Sequence, residues 1–370
     1  MTSTSKPKVA TAPQRVGIDT HKRRTVAVLG ATGAVGQSFI RLLEGHPWFD
    51  LVAVAASERS AGKPYAEAAR WLGTEPMPDR IASMTVLPCD PNAVEADLVF
   101  SALDSSVATE VEAAFARAGR FVLSNAKNYR MDPDVPLVIA EVNPEHLEIL
   151  ESQQKGRGWK GGIITNGNCV AIVGALPLAP IHKRFGITKV FASTMQAVSG
   201  AGYPGVPSLD ILGNVIPLIR EEEPKIETEL QKFLGTAHNG VIESAPFKVS
   251  SHANRVPVEH GHTICMSIEL DKKGSAFDVT ETIAEWTGAP QARGLPSAPE
   301  RPVIIATSLD RPQPRLDVNA GKGMTVTVGR IRPDTIFDIR LVASGHNIIR
   351  GAAGASVLNA ELLVSSGIIA

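Results

Sequence analysis

The stretch TVAVLGATGAVGQSFIRLLEGH, residues 25–46, decides the fold. Thr25 to Leu29 is a β-branched, apolar run that reads as a buried strand. Glycines follow at positions 30, 33 and 36, and Val35, Phe39, Leu42 and Leu43 then recur with helical period. LVAVAAS, residues 51–57, reads as a second strand and completes a β-α-β unit. Between strand and helix, glycines serve a tight turn, a close ligand approach and a helix–strand contact. A pyrophosphate can then rest on backbone N–H groups at the positive end of the helix. Gly30, Thr32, Gly33, Ala34, Val35 and Gly36 are therefore candidate dinucleotide-binding residues. The bland alternative is a glycine turn of the kind any α/β protein can contain.

Outward from this unit, short apolar runs recur at 84–87, 97–100, 121–123 and 137–140, with a helical pattern at 107–118. Alternating strands and helices predict a doubly wound parallel sheet, an α/β architecture. The texture changes near residue 163. Strand-like stretches at 187–200, 241–250, 262–270 and 324–342 come without regular helices between them, which predicts a second, more antiparallel α+β domain. The closing segment, NIIRGAAGASVLNAELLVSSGI, reads as an amphipathic helix that returns to the first domain. The division expected is a tail over 1–24, a dinucleotide-binding domain over 25–167 and 347–370, and a catalytic and dimerisation domain over 168–346. The tail has no apolar core for a secretory signal and reads as disordered, with a transit peptide as the alternative.

Composition removes several function classes. With 37 Lys plus Arg against 38 Asp plus Glu, no sign of charge dominates, which argues against nucleic-acid and membrane-surface partners. No 18-residue apolar run offers a transmembrane helix. Cys89, Cys169 and Cys265 are odd in number, far apart and without C-x-x-C spacing, which fits a reducing cytoplasm and neither disulfides nor zinc.

The second strand ends in AASERSAGK rather than in the acidic residue that usually binds a ribose 2′-hydroxyl. Ser57, Arg59 and Ser60 suit a 2′-phosphate, so NADP is expected over NAD, with Glu58 pointing outward. Cys169 opens an apolar run after Asn166-Gly167-Asn168, a sequence that suits a helix start. A free thiol is only about 3% ionised at pH 7, but a helix N-terminus and a cationic imidazole would ionise it. On this reasoning alone a buried structural cysteine is an equal alternative. Pro177 and Pro180 predict a helix that is short or kinked. Downstream, Arg255, His260 and His262 fall together, an arginine fork for a carboxylate or phosphate beside a histidine for proton transfer. Read alone, residues 221–229 are a solvated helix face.

Seven pieces then occur in order: VLGATGAVGQ, SNAKNYRM, NGNCVAIVGALPLAP, STMQAVSGAGYPG, EEEPKIETE, NRVPVEHGHT and GHNIIRGAAGASVLNAE. Together they resemble the aspartate-β-semialdehyde dehydrogenase family in its archaeal/fungal-type branch, over about residues 25 to 370. The resemblance implies reductive dephosphorylation of L-aspartyl-4-phosphate to the semialdehyde with NADPH, through a cysteine thioester, on the route to lysine, threonine and methionine. It implies Cys169 as nucleophile, Gln196 as the residue positioning the intermediate and His262 as acid/base. Arg255 would clamp the substrate carboxylate and Glu222 its amino group. Phosphate would be held by Lys225, Arg130 and Asn168, with Lys127 a further candidate. Ser101, Ser199, Gly200 and Asn347 would contact the cofactor, and the protein would be a homodimer or homotetramer. Gly167 stands where the family often has Pro or Ala, which predicts a turn loosened by about 0.5–1 kcal/mol. Val-Ala-Ile follows Cys169 where Ser-Thr is common, which removes a hydroxyl. The alternatives left open are N-acetyl-glutamyl-phosphate reductase, malonyl-CoA reductase and a non-catalytic dinucleotide-binding regulator.

Overall fold

A computed structural model describes residues 23–369. The expected disordered or targeting tail therefore lies almost wholly outside the described residues. Strand β1, Arg24–Leu29, has Val26 to Leu29 fully buried, as a central parallel strand covered on both faces requires. The Ala34–Leu43 helix, α1, follows the glycine turn, and β2 covers Phe49–Ala56. Further strands are β3 (Leu87–Pro88), β4 (Leu98–Ser101), β5 (Phe121–Ser124) and β6 (Gly162–Thr165). Helix α2, Ser105–Arg117, links β4 to β5. All pairings are parallel, in the order β3-β2-β1-β4-β5-β6. The order reverses between β1 and β4, and ligand crevices of doubly wound sheets open at such a point.

The apolar run at 137–140 is not a strand. It is fully buried and meets β6 only in an isolated parallel bridge of Leu137 with Thr165, where Val138 N–H donates to the Thr165 carbonyl at 3.0 Å, and side chains take up much of the rest of its backbone. Asn143 accepts from Ile139 N–H at 2.8 Å and donates to the Leu137 carbonyl at 3.0 Å. Asn359 donates to the Val138 carbonyl at 2.9 Å.

Helix α3, Leu150–Arg157, packs beside β6, and the chain then enters the second domain through α4, Cys169–Phe185. Its mixed sheet runs β10-β7-β11-β14-β13-β12. Here β7 is Ile187–Gln196, β10 Lys248–Arg255, β11 His262–Leu270, β12 Val303–Ile305, β13 Val326–Pro333 and β14 Ile339–Gly345. A small hairpin, β8 (Thr236–His238) with β9 (Val241–Glu243), lies between. The pairs β7–β11, β11–β14 and β13–β14 are antiparallel, whereas β7–β10 and β12–β13 are parallel. Contrary to the sequence expectation, regular helices do intervene: α5, Glu222–Phe233, and α6, Ala276–Glu285. They pack with α4 against one face of the sheet. The other face is open along β7, where Lys189, Phe191 and Met195 are exposed between buried Val190, Ala192 and Thr194.

Two helices depart from expectation. Helix α4 is not shortened by Pro177 and Pro180 and runs for 17 residues. Each proline forfeits an internal hydrogen bond, at about 3 kcal/mol, but the helix is buried along most of its length and packing outweighs the loss. The final helix, α7, Gly354–Ser365, is not amphipathic, since every residue from Gly354 to Val364 is buried. Its carboxylate bonds inward: Glu361 accepts from His46 Nε2 at 2.9 Å and from the Ser297 hydroxyl at 2.5 Å. The helix does pack in the first core, beside α1 and β5. No described helix is long and apolar enough to cross a membrane.

Candidate active site

After β6 the chain turns through Asn166, Gly167 and Asn168 into α4. Asn168 is the N-cap, its Oδ1 accepting from Val170 and Ala171 N–H at 3.1 Å each. Gly167 does not loosen this turn. A Cβ there would lie 2.2 Å from Cζ of Phe233 and 3.0 Å from Oε2 of Glu229, so the missing side chain is what lets α5 approach. Cys169 is the first residue of α4 and keeps partial solvent exposure. A turn at Ile349–Ala353 with π-helical hydrogen bonding closes over it, placing Gly351 against its Cβ.

His262 opens β11, and its Nε2 lies 3.1 Å from the Cys169 sulfur. Its Nδ1 accepts the backbone N–H of Ala197 at 3.0 Å. A backbone amide can only donate, so the ring proton of the neutral imidazole sits on Nε2, facing sulfur. Burial pushes the Cys169 thiol up, helped by the Glu222 carboxylate and opposed by Arg130, the Val170 N–H and Arg255. Burial pushes His262 down, as do the charges of Arg255 and His346. Desolvation thus works against the thiolate–imidazolium pair that the sequence suggested. Asn168 Oδ1 occupies the Val170 and Ala171 N–H groups, and His262 Nε2–H stands as a further donor beside the sulfur. Gln196, at the end of β7, is buried and donates to Thr194 Oγ1 at 3.3 Å.

The other candidates gather around this pair. Arg255 is buried at the end of β10, with Nη1 donating to the Ala197 carbonyl at 2.8 Å, and Gly200 lies beside it and His262. Glu222 and Lys225 are not a solvated face. Glu222 is buried and accepts from Asn168 Nδ2 at 2.8 Å, while Lys225 Nζ stands 3.6 Å from its other oxygen. Arg130 is buried, donating from Nη1 to Glu229 at 2.9 Å and from Nη2 to the Asn125 carbonyl at 2.7 Å. Its Nε is buried without a partner. Lys127 sits exposed at the rim, paired with Glu221.

The nucleotide-side candidates fall into three groups. At the switch point Gly30 has φ +71°, and a Cβ on Gly36 would lie 2.3 Å from the Gly30 carbonyl oxygen. The turn carries Thr32 and Gly33, Ala34 and Val35 open α1, and the helix starts with no side-chain cap and no acidic residue in its first turn. That bare positive end is a cradle for a pyrophosphate. Beyond β2, Ser57, Glu58 and Arg59 are exposed and Ser60 is half-buried, so a 2′-phosphate could reach them. Asn347 donates to Ser199 Oγ at 2.9 Å and accepts from Gly261 N–H at 2.9 Å, which ties it to the residue before His262. Ser101 does not present its polar atoms to the crevice. Its hydroxyl donates to buried Glu112 at 2.6 Å, and its carbonyl accepts from Asn125 N–H. Glu112 also accepts from Ser124, and burial pushes its carboxyl up to about 7.

Sequence reasoning missed Glu229, Lys232, Glu112 and His346. His346 stacks on His260 at 5.1 Å, and burial first, with the charges of His260 and Arg41, pushes it down to about 4. The only local signal was the E-x-x-K spacing of Glu229 and Lys232, which repeats that of Glu222 and Lys225 about two turns along the helix.

Comparison with known proteins shows the family. Residues 25–150 match the family description "Semialdehyde dehydrogenase, NAD binding domain", and residues 178–350 match "Semialdehyde dehydrogenase, dimerisation domain". A curated relative named aspartate-semialdehyde dehydrogenase, from Methanothermobacter thermautotrophicus, is 53% identical over 91% of this chain and 98% of its own length. A namesake from Schizosaccharomyces pombe is 46% identical over 94% and 99%. Among solved structures, the crystal structure of aspartate semialdehyde dehydrogenase with NADP from Candida albicans aligns with TM-score 0.87 and 43% identity. It covers 94% of this chain and 100% of that one.

Proposed function

The chain belongs to the aspartate-semialdehyde dehydrogenase family, and from that premise we infer that it reduces L-aspartyl-4-phosphate to L-aspartate-4-semialdehyde, reversibly, with NADPH. This is a step of amino-acid biosynthesis leading towards lysine, threonine and methionine, carried out in the cytoplasm. The observation that carries the reading is the Cys169–His262 contact of 3.1 Å, with Arg130 and Arg255 both buried around it.

In the phosphorylating direction the Cys169 sulfur attacks the aldehyde carbon while its thiol proton leaves to solvent, which reaches the partly exposed cysteine. His262 Nε2–H bonds the oxygen that becomes negative, in a site where such a donor is often worth about 3–4 kcal/mol. Arg255 holds the substrate carboxylate and Glu222 its ammonium group, while Gln196 orients the sulfur-bound carbon. When bound, NADP takes up or supplies the hydride at that carbon. Inorganic phosphate, held by Arg130, Lys225 and Asn168, with Lys127 at the rim, then attacks the thioester carbonyl. The sulfur leaves as thiolate. NADP would rest on the uncapped start of α1, with its 2′-phosphate among Ser57, Arg59 and Ser60, and with Ser199, Gly200 and Asn347 towards the reacting end. The same reading divides the chain at residues 167/168 and 346/347.

A second copy of this chain is the proposed occupant of the open face of the mixed sheet. Support comes from exposed Phe191 and Met195, and from the description of residues 178–350 as a dimerisation domain. The deciding assay is oxidation of aspartate semialdehyde with NADP, with and without phosphate. Sustained turnover only with phosphate is expected, and a preference for NAD or for coenzyme A in place of phosphate would overturn the reading.

A further inference from the structure

Helix α5 presents its first turn, Glu222 and Lys225, to the substrate region, but two further buried charges on it do something else. Glu229 is 1% exposed, and its two oxygens serve two different parts of the site. Oε1 accepts from Arg130 Nη1 at 2.9 Å, and Oε2 accepts from the backbone N–H of Asn168, the cap of the nucleophile's helix. Three residues on, Lys232 is 2% exposed and spends all three ammonium protons on carbonyls of the loop that carries Arg130. These are Arg130 itself at 2.6 Å, Asp132 at 2.6 Å and Val135 at 2.9 Å. One helix therefore grips Arg130 at both its guanidinium and its backbone. Stability alone explains this arrangement poorly, because buried ion pairs can often be replaced by apolar residues at no loss.

We propose that Glu229, supported by Lys232, is a positioning residue that couples the phosphate-binding arginine to the start of the nucleophile's helix. The inference rests on the role assigned to Arg130 above. Held on its inner side by Glu229 and the Asn125 carbonyl, the guanidinium keeps a buried, unpartnered Nε for an anion. The same carboxylate fixes the backbone from which Cys169 projects, so that phosphate and thioester meet in one register.

The test is E229Q, which keeps size but offers one acceptor oxygen for two donors. Michaelis constants for phosphate and for semialdehyde are measured separately, with thermal midpoints as a folding control. The expected result is a rise in the phosphate KM of at least about tenfold with the semialdehyde KM within about threefold. K232M, whose stem keeps its packing, should raise the phosphate KM by about three- to tenfold with the same selectivity. It carries the test alone should E229Q not fold. A parallel rise in both constants, or a phosphate KM that stays put, overturns the coupling. Absence of phosphate-dependent turnover in the unaltered protein would instead overturn the functional reading beneath it.

Discussion

The molecule contains two strand–turn–helix junctions of the same design that are finished in opposite ways. Between β1 and α1 the turn is built on glycine, and the helix starts with no side-chain cap. Between β6 and α4 the turn is also tight, but Asn168 caps the helix and Glu229 takes the Asn168 N–H. The first junction leaves its N–H groups for a ligand to satisfy, so its positive end is an anion site. The second fills its positive end with the protein's own acceptors. It gives up most of the anion site and gains a rigidly placed Cys169.

Four experiments would break or sharpen that contrast. C169A should lower turnover by at least about four orders of magnitude while NADPH binding, read by fluorescence titration, is kept. Turnover within tenfold of the unaltered protein would dismiss the covalent mechanism. At the open junction, G36A puts a methyl 2.3 Å from a backbone carbonyl, so it should raise the NADPH KM by about a hundredfold. The semialdehyde KM should hardly move, and an unchanged cofactor KM would remove the turn from cofactor binding. At the closed junction, G167A should destabilise by about 1–3 kcal/mol in chemical denaturation through its collision with Phe233. F233L should recover much of that loss in the double variant, and simple additivity would refute the contact as the cause. The smallest effect concerns the thiol. Because burial raises Cys169, its thiolate fraction falls at neutral pH. Alkylation by iodoacetamide should therefore keep accelerating above pH 9, and a plateau near pH 7 would show a thiolate already formed.

Legibility in the sequence followed the range of the interactions. The β1–α1 unit was readable because its strand, glycines and helix period are contiguous. The run at 137–140 misled because it touches β6 only at Thr165, while its other hydrogen-bond partners include Asn359, 221 residues away. The buried polar stripe of α7 misled for the same reason, since His46 lies 315 residues from Glu361. Cys169 announced a helix start, yet its state depends on desolvation by segments that converge only in three dimensions. His262, 93 residues on, stood out locally beside Arg255 and His260, but its pairing with Cys169 was reached through the family resemblance. The role of Glu229 was not legible in its E-x-x-K spacing, because it comes from Asn168, 61 positions earlier, and Arg130, 99 earlier.

The return of α7 has a consequence for how the chain is made. Its buried residues complete the core beneath β1, β4 and β5, although it is synthesised after the whole of the mixed sheet. During translation the first half emerges without the piece that seals it, so nucleotide-domain closure is a late, whole-chain event. Contacts of that sequence separation slow folding. Residues 23–165 expressed alone would show an apolar gap where α7 belongs, and the reaction chamber, roofed by the Ile349–Ala353 turn, would close only after the last helix docks.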